Sequence, residues 1–242
     1  MSGLLPIWRR ELAALFLGPL AWTLLCIAFL LDVWLFDSQL VASSGDVDVA
    51  VRQGLVVSIY VAIVGAPLVT MRMISEESRA GLLEYLLTAP VSDAAVVTGK
   101  FLAATSFFAI LAGSTFVHAL VLGSQGIAPD PGVVLAGWLG IVLFSGFLCA
   151  IGLLASSLTS TPIVAAFAGV VVDLVIVLTP WLARLSGSPW ATRAAQRMDV
   201  TDRLSSSFLL GALDSAHIVF FAAWTAFLLF LCVRTIEARR WR

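Results

Sequence analysis

Few side chains in this sequence are of a type and spacing that could form a reactive or metal-binding site. The two histidines, His118 and His217, stand at the ends of apolar runs, and neither has a second His or Cys at ligand spacing. The three cysteines, Cys26, Cys149 and Cys232, lie inside apolar runs and are expected to be packing residues. A metal centre needs several convergent ligands, and a hydrolase needs a nucleophile or a metal constellation. The sequence therefore predicts no metal site, no catalytic residue and no intramembrane hydrolase.

A phosphate-binding loop is also missing from the sequence. Such a loop has the pattern G-x-x-x-x-G-K-[ST], in which backbone N–H groups and the lysine bind phosphates. The one candidate, Gly99-Lys100, is followed by Phe101, and Ala94 stands where the first glycine would be. We therefore expect no ATP site and no cofactor in this chain.

Two acidic residues stand inside apolar runs, where a charge is costly. Asp173 is near the middle of the fifth run, and an ionised Asp there costs about 2.5 to 3.5 kcal/mol on insertion scales. Asp173 is expected either to lie on a translocation path or at a helix seam between two chains, or to fasten helices as a protonated or hydrogen-bonded carboxyl. Asp32 is within about one turn of the end of the first run, so we expect a solvated carboxylate there.

Most of the chain is apolar enough to cross a membrane. Of its 242 residues, 60% are hydrophobic and 12% charged, and the mean hydropathy is +1.03, whereas soluble domains are about half apolar and about a quarter charged. Six runs have the length of a membrane span: 12–36, 55–74, 100–123, 133–158, 162–185 and 217–233. The sequence thus predicts an all-α polytopic membrane protein with six transmembrane helices, forming a single membrane domain over residues 1–242.

The basic residues are unevenly distributed between the two sides of the predicted bundle. Five flank one side, four of them in its last loop, and nine flank the side that holds both termini. The nine are Arg9, Arg10, Arg72, Arg79, Lys100, Arg234, Arg239, Arg240 and Arg242. By the positive-inside rule, both termini are predicted to be cytoplasmic. The formal net charge of −1 offers no basic face for nucleic acid.

The connector between the second and third runs, residues 75–99, has the most informative pattern. Four leucines between Gly81 and Pro90 recur at helical spacing, which predicts a short amphipathic helix. Pro90 ends that helix, and Ser92 or Asp93 can cap the next one. Periodicity alone allows two interpretations, a helix lying in the bilayer headgroups or a docking element for a cytoplasmic partner.

A family resemblance favours the docking element. The string I-S-E-E-x-x-x-G-x-x-E-x-L-L-T-x-P-V-S-D over residues 74–93, followed by G-K-F, resembles the first cytoplasmic coupling helix of ABC-2 type ABC-transporter permeases. It is most similar to the branch that holds the gliding-motility permease and the copper-site maturation permease of nitrous oxide reductase. Eight positions match: Glu76, Glu77, Gly81, Glu84, Leu86, Leu87, Pro90 and Asp93. Leu82 departs from the pattern, since a Thr commonly follows the Gly.

Two further segments resemble the same family. Residues 7–12 are similar to its N-terminal amphipathic helix, which lies along the inner membrane surface. Residues 203–214 resemble its outer-face stretch, where short re-entrant helices precede the last span. In this outer-face segment, 186–215, Ser188 and Pro189 make a good helix start. The pattern there allows either two short helices dipping into the outer leaflet or a helix lying flat on it.

The resemblance implies partners as well as a fold. In that family the coupling segment docks in a cleft of a separate ATPase subunit, with the acidic residues meeting basic or amide groups and the leucines filling the cleft. ATP and Mg would be bound by that ATPase, in two copies, beside a second permease chain, identical or not. The chain would be an exporter permease of the bacterial cytoplasmic membrane, with an outer-face accessory protein as a further partner.

Two other functions are compatible with the sequence. The same ATP-driven subunit could work mechanically on an outer-face partner, in motility or metalloenzyme maturation, without moving a solute. A solid apolar seam between two chains would favour this role. A secondary transporter without ATP would need charged residues paired across several spans, and only Asp173 is deeply placed.

Overall fold

The computed structural model describes residues 3–79, 92–185 and 187–239, and over these ranges it contains helices and no β-strand. The helices are α1 (Leu4–Leu17), α2 (Pro19–Ala42), α3 (Val47–Arg79), α4 (Asp93–Leu111), α5 (Ser114–Ser124), α6 (Pro131–Leu158), α7 (Pro162–Leu185), α8 (Pro189–Arg197), α9 (Val200–Ser205), a 3-10 helix (Phe208–Leu210) and α10 (Ser215–Arg239). Six segments of the described chain are long and apolar enough to cross a membrane: α2, α3, α4 with α5, α6, α7 and α10. The prediction of an all-α polytopic membrane protein is confirmed.

The two ends of the bundle differ in charge. Because the six spans alternate in direction, α1, the end of α3, the start of α4 and the end of α10 lie at one end, which we call the basic end. The loops after α2, α5 and α7 lie at the opposite end. The predicted coupling helix between Gly81 and Pro90 belongs to the basic end by its place in the chain but lies outside the described residues.

Most of the spans are longer than the apolar runs from which they were predicted. The fifth run coincides with α7, whereas α3, α6 and α10 extend beyond the runs 55–74, 133–158 and 217–233 at one end or both. The added turns are polar or capped. At the start of α6, for example, the carboxylate of Asp130 accepts from the N–H of Gly132 at 2.9 Å. A capped helix continues past the apolar stretch that hydropathy detects.

The first predicted run is divided at Gly18 between α1 and α2. Gly18 is extended, with φ −88° and ψ 152°, and Pro19 takes the first position of α2. A proline disfavours helical geometry in the residue before it, so one helix ends here and another begins. The prediction of a single helix over residues 12–36 is therefore wrong at both ends, because α1 extends to Leu17 and α2 continues to Ala42.

The third span is broken between α4 and α5, at Gly113. The N–H of Gly113 donates to the carbonyl of Ile110 at 3.0 Å, which is one residue short of the α-helical pattern. The carbonyl of Ala109 instead accepts from the indole N–H of Trp138 on α6, also at 3.0 Å. The break is therefore stabilised by a hydrogen bond from a neighbouring span.

The centre of the bundle is the packing of α6 against α3 and α7. Two glycines allow the close approach. A side chain at Gly152 of α6 would collide with Thr70 of α3, and a Cβ at Gly169 of α7 would lie 2.9 Å from the Cβ of Pro67 on α3. Each glycine belongs to a pair of small residues at i,i+4 spacing, the pattern that favours close helix contact in membranes.

The segment before the last span folds into α8, α9 and the 3-10 helix. Helix α8 begins at Pro189 after Ser188, as predicted. Phe208 is completely buried, and its side chain lies against Gly140 in the third turn of α6. This part of the segment thus packs into the bundle, and the predicted dip into the outer leaflet stays a prediction.

Three spans, α2, α7 and α10, keep large apolar faces exposed. The exposed residues of α7 between Ile163 and Leu178 are all apolar, and those of α10 between Val219 and Phe230 are all apolar or aromatic. Faces of this kind fit lipid or another membrane chain.

Candidate functional site

Lys100, on α4, is the centre of a buried charge cluster at the basic end. Its side chain is 1% exposed, and its Nζ donates to Oε1 of Glu77 on α3 at 2.8 Å and to Oε1 of Glu11 on α1 at 3.1 Å. A buried ammonium is stable only when it is paired, and these two carboxylates supply the pairing. The ion pairs therefore join three helices that are far apart in the sequence.

Arg10 extends this cluster to the surface. Its Nη2 donates to Oε1 of Glu11 at 2.6 Å and to Oε1 of Glu77 at 3.3 Å. The hydrogen bond to Glu11 raises the pKa of the Arg10 guanidinium above its already high ordinary value, so this group stays charged. Two cations thus alternate with two carboxylates, and we call Arg10, Glu11, Glu77 and Lys100 the Lys100 cluster.

The contact of α1 with α4 positions Glu11 beside Lys100. A Cβ at Gly99 would lie 2.8 Å from Cγ2 of Ile7, so the absence of a side chain at Gly99 lets α1 lie directly on α4. The indole N–H of Trp8 on α1 donates to the hydroxyl of Ser106 on α4 at 3.1 Å. Packing and a hydrogen bond therefore fix α1 before the ion pairs are considered.

The last turns of α3 are also fixed, to α6. The hydroxyl of Ser156 on α6 accepts from the N–H groups of Ser75 at 3.0 Å and Ile74 at 3.3 Å. It donates to the carbonyl of Met71 at 2.9 Å. The residues just before Glu76 and Glu77 are thus tied to the central helix of the bundle.

The structure separates the two predicted glutamates at the end of α3. The carboxylate of Glu77 lies inside the Lys100 cluster, whereas Glu76 is half exposed and pairs with Arg72, Oε1 to Nε at 3.1 Å. Asp93 is half-buried in the first turn of α4, where the helix dipole favours a negative charge, and Ser92 caps that helix by accepting from the N–H of Ala95 at 3.3 Å. The other predicted coupling residues, Gly81, Glu84, Leu86, Leu87 and Pro90, lie outside the described residues.

Sequence reasoning missed the connection made by Lys100 and Glu11. Lys100 was assigned only as a charge that sets topology. A signal was present, because Ser92 or Asp93 was a predicted helix cap, and a cap there places Lys100 about two turns inside the span. A lysine at that depth needs a partner.

A cavity of about 460 Å³ lies beside the Lys100 cluster, between α1, α2 and α3. Its lining includes the apolar side chains of Leu15, Leu20, Leu68 and Met73. It also includes the charged side chains of Glu11, Arg72, Glu76, Glu77 and Lys100. The cavity is therefore amphipathic.

Asp173 lies in the packed centre of the bundle. It continues the buried stripe of Ala165 and Gly169 on α7, and its side chain is completely buried. Within the described part of the chain, neither carboxylate oxygen has a hydrogen-bond partner. An unpaired charge in such surroundings is costly.

The prediction of a solvated Asp32 is wrong. Its side chain is buried with Oδ1 against Gly54 of α3, and α2 continues ten residues beyond it to Ala42 instead of ending at Phe36. His118 of α5 lies beside it, with Nδ1 3.8 Å from Oδ2, and the imidazole stacks on Phe36. In the ranges that the structure describes, no group of three or more His, Cys, Asp or Glu residues is placed to hold a metal ion.

The fold and the site define a class of protein, a six-span membrane subunit whose N-terminal helix is joined to the second and third spans by buried ion pairs. The model of a family described as ABC-2 family transporter protein matches residues 34–179, more than half of the chain. The chain belongs to this ABC-2 family, and it is a membrane-spanning permease subunit of a transporter. No curated protein matches the chain significantly.

The matched range contains Glu77 and Lys100 and begins after α1. Permeases of this family are membrane components and are generally not catalytic. The narrower resemblance to the gliding-motility and copper-maturation branch stays a prediction.

Proposed function

We propose that this permease is an exporter subunit driven by a separate ATPase that docks on residues 75–93. The observation that carries the proposal is the Lys100 cluster. Glu77 and Lys100 lie on the two helices that flank the segment, and both are linked to Glu11 or Arg10 of α1. A push on the segment therefore acts on α3, α4 and α1 together.

The two glutamates at the end of α3 have different roles in this proposal. Glu76, half exposed, meets basic or amide groups of the ATPase, together with Glu84. Gly81, Leu86, Leu87 and Pro90 shape the docking helix and fill the cleft, and Asp93 begins the helix that receives the motion. Glu77 transmits the motion within the chain, because Lys100 and Arg10 already hold its carboxylate.

The proposed assembly contains two permease chains and two ATPase chains. The ATPases bind ATP and Mg and perform the hydrolysis. The apolar faces of α7 and α10 are large enough to meet a second permease chain, identical or not, within the bilayer. Nine of the 14 basic residues flank the basic end, which supports a cytoplasmic location for both termini in a bacterial inner membrane.

A mechanical role is the second candidate. The observation that favours it is the apolar character of the exposed faces of α7 and α10, which offer no polar path between two chains. In this case the ATPase would move an outer-face accessory protein, as the resemblance to motility and maturation permeases suggests. An apolar or amphipathic cargo would be compatible with the same faces.

Docking can be tested by co-purification with a candidate ABC ATPase from the source organism. The double variant Glu76→Lys plus Glu84→Lys reverses two charges on the proposed docking surface. We expect the wild-type chain to retain the ATPase and the double variant to lose it.

Glu237→Lys is the matched control, because Glu237 also pairs with an arginine at the basic end, Arg234 at 2.8 Å, but lies on α10. This control should retain the ATPase. If the double variant still co-purifies with the ATPase as the wild type does, residues 75–93 are not the docking site.

A further inference from the structure

We propose that the cavity beside the Lys100 cluster binds the headgroup of a zwitterionic phospholipid with a primary ammonium group, phosphatidylethanolamine. The proposal rests on the cavity, its charges and its level in the membrane. It does not depend on an ATPase, and it concerns the chain without a bound ATPase, because Glu76 cannot meet an ATPase and a lipid ammonium at the same time.

The cavity lies at the level of the lipid headgroups. Leu20 and Ala21, which line it, are among the first residues of the span α2, and Arg72 and Glu76 are near the end of the span α3. A site between the first turn of one span and the last turns of the next lies at the border of the hydrocarbon core. A lipid in this cavity would place its acyl chains along the apolar lining residues and its headgroup beside the charged ones.

The charged side chains that line the cavity favour a lipid headgroup without net charge. Glu11 and Glu77 are already paired with Lys100 and Arg10. The remaining pair, Arg72 and Glu76, presents one positive and one negative group, both more than half exposed. The phosphate of a zwitterionic headgroup can pair with Arg72 while its ammonium pairs with Glu76. An anionic headgroup has no ammonium, so its negative charge would lie beside the carboxylate of Glu76 and repel it.

The carboxylate of Glu76 also selects the type of ammonium. A primary ammonium has three N–H donors and forms charge-assisted hydrogen bonds with a carboxylate. The trimethylammonium of phosphatidylcholine has no N–H group and cannot donate.

The test is the retention of lipid by the purified full-length chain. The chain is extracted from bilayers with equal fractions of dioleoyl phosphatidylethanolamine, phosphatidylcholine and phosphatidylglycerol, and bound lipids are counted by native mass spectrometry. We expect phosphatidylethanolamine to be enriched about fivefold over each of the others, the ratio that about 1 kcal/mol of additional binding gives. Equal retention of the three lipids, or a preference for phosphatidylglycerol, would overturn the proposal.

Variants locate the lipid in the cavity. Glu76→Gln keeps the size of the side chain but removes its charge, and we expect it to abolish the enrichment of phosphatidylethanolamine while the chain keeps its wild-type melting temperature. Glu237→Gln removes a carboxylate from a different arginine pair at the basic end, outside the cavity, and should keep the enrichment. If Glu76→Gln retains the enrichment, the lipid does not bind in this cavity. Because no ATPase is present, failure of this test leaves the docking proposal unaffected.

Discussion

The buried ion pairs of Lys100 connect α4 to α1 and α3. Burying an ammonium costs several kcal/mol, and only good pairing offsets this cost. Lysines and arginines that only flank a span can reach water, as Arg72 and Arg234 do, with side chains 66% and 63% exposed. Lys100 is 1% exposed. Its position is therefore determined by Glu11 and Glu77 and not by solvent.

We expect Lys100→Met to lower the free energy of unfolding by about 3 to 5 kcal/mol, because it leaves Glu11 and Glu77 without their buried partner. Unfolding by SDS in mixed micelles measures this loss. Combining Lys100→Met with Glu11→Gln and Glu77→Gln should recover most of it, since replacing buried ion pairs by neutral groups is often close to neutral and the remaining member, Arg10, is 57% exposed.

Glu237→Gln is the control for Lys100→Met. It disrupts the exposed pair with Arg234, and exposed pairs contribute about 1 kcal/mol or less. Equal unfolding free energies for Lys100→Met and the wild type would mean that the Lys100 cluster contributes nothing to stability, and its role in transmitting motion would lose its basis.

At the scale of helices, the contact between α1 and α4 decides whether motion of residues 75–93 can reach α1. This contact depends on Gly99, because Ile7 occupies the space that a side chain would fill. Glu11 follows Ile7 by four residues, about one turn, so it faces α4 on the same side of α1 as Ile7. A shift of α1 would therefore also lengthen the bond between Glu11 and Lys100.

We expect Gly99→Ala to destabilise the chain by about 1 to 3 kcal/mol, the usual cost of overpacking. Adding Ile7→Ala to the same chain should relieve part of this loss by returning space to the contact. SDS unfolding again gives the measurement. Gly123→Ala on α5 is the matched control, because its Cβ would meet open space, and it should unfold like the wild type. If Gly99→Ala also behaves like the wild type, α1 is not closely packed on α4.

Much of the helix pattern could be predicted, because hydropathy and caps are local properties of the sequence. The limits of α7, the cap at Ser92 and the start of α8 could be predicted from such local properties. The break between α4 and α5 could not be predicted, because it depends on a hydrogen bond from Trp138 on another span. The Lys100 cluster joins residues 89 and 23 positions apart, and the pair of Asp32 and His118 joins two spans. Such contacts follow from packing and have no signature in spacing.

At the scale of the whole molecule, the orientation in the membrane determines whether residues 75–93 can meet an ATPase. Five basic residues flank the opposite end, one of them in the last turn of α7 and three in the segment after it, and nine flank the basic end. The positive-inside rule counts basic residues in short loops, and acidic residues contribute little. The pairing of Lys100 and Arg10 with carboxylates therefore leaves the predicted orientation unchanged.

Labelling of single introduced cysteines with a membrane-impermeant maleimide tests this orientation. Gln125→Cys lies at the opposite end and should be labelled in intact bacteria, whereas Glu237→Cys at the basic end should be labelled only after the membrane is opened. The wild-type chain gives the background, because Cys149 and Cys232 are buried and Cys26 lies within the span α2. Labelling of Glu237→Cys in intact cells would place residues 75–93 outside. ATP and its hydrolysis are inside the cell, so that outcome would exclude ATPase docking on this segment and, with it, the proposed mechanism.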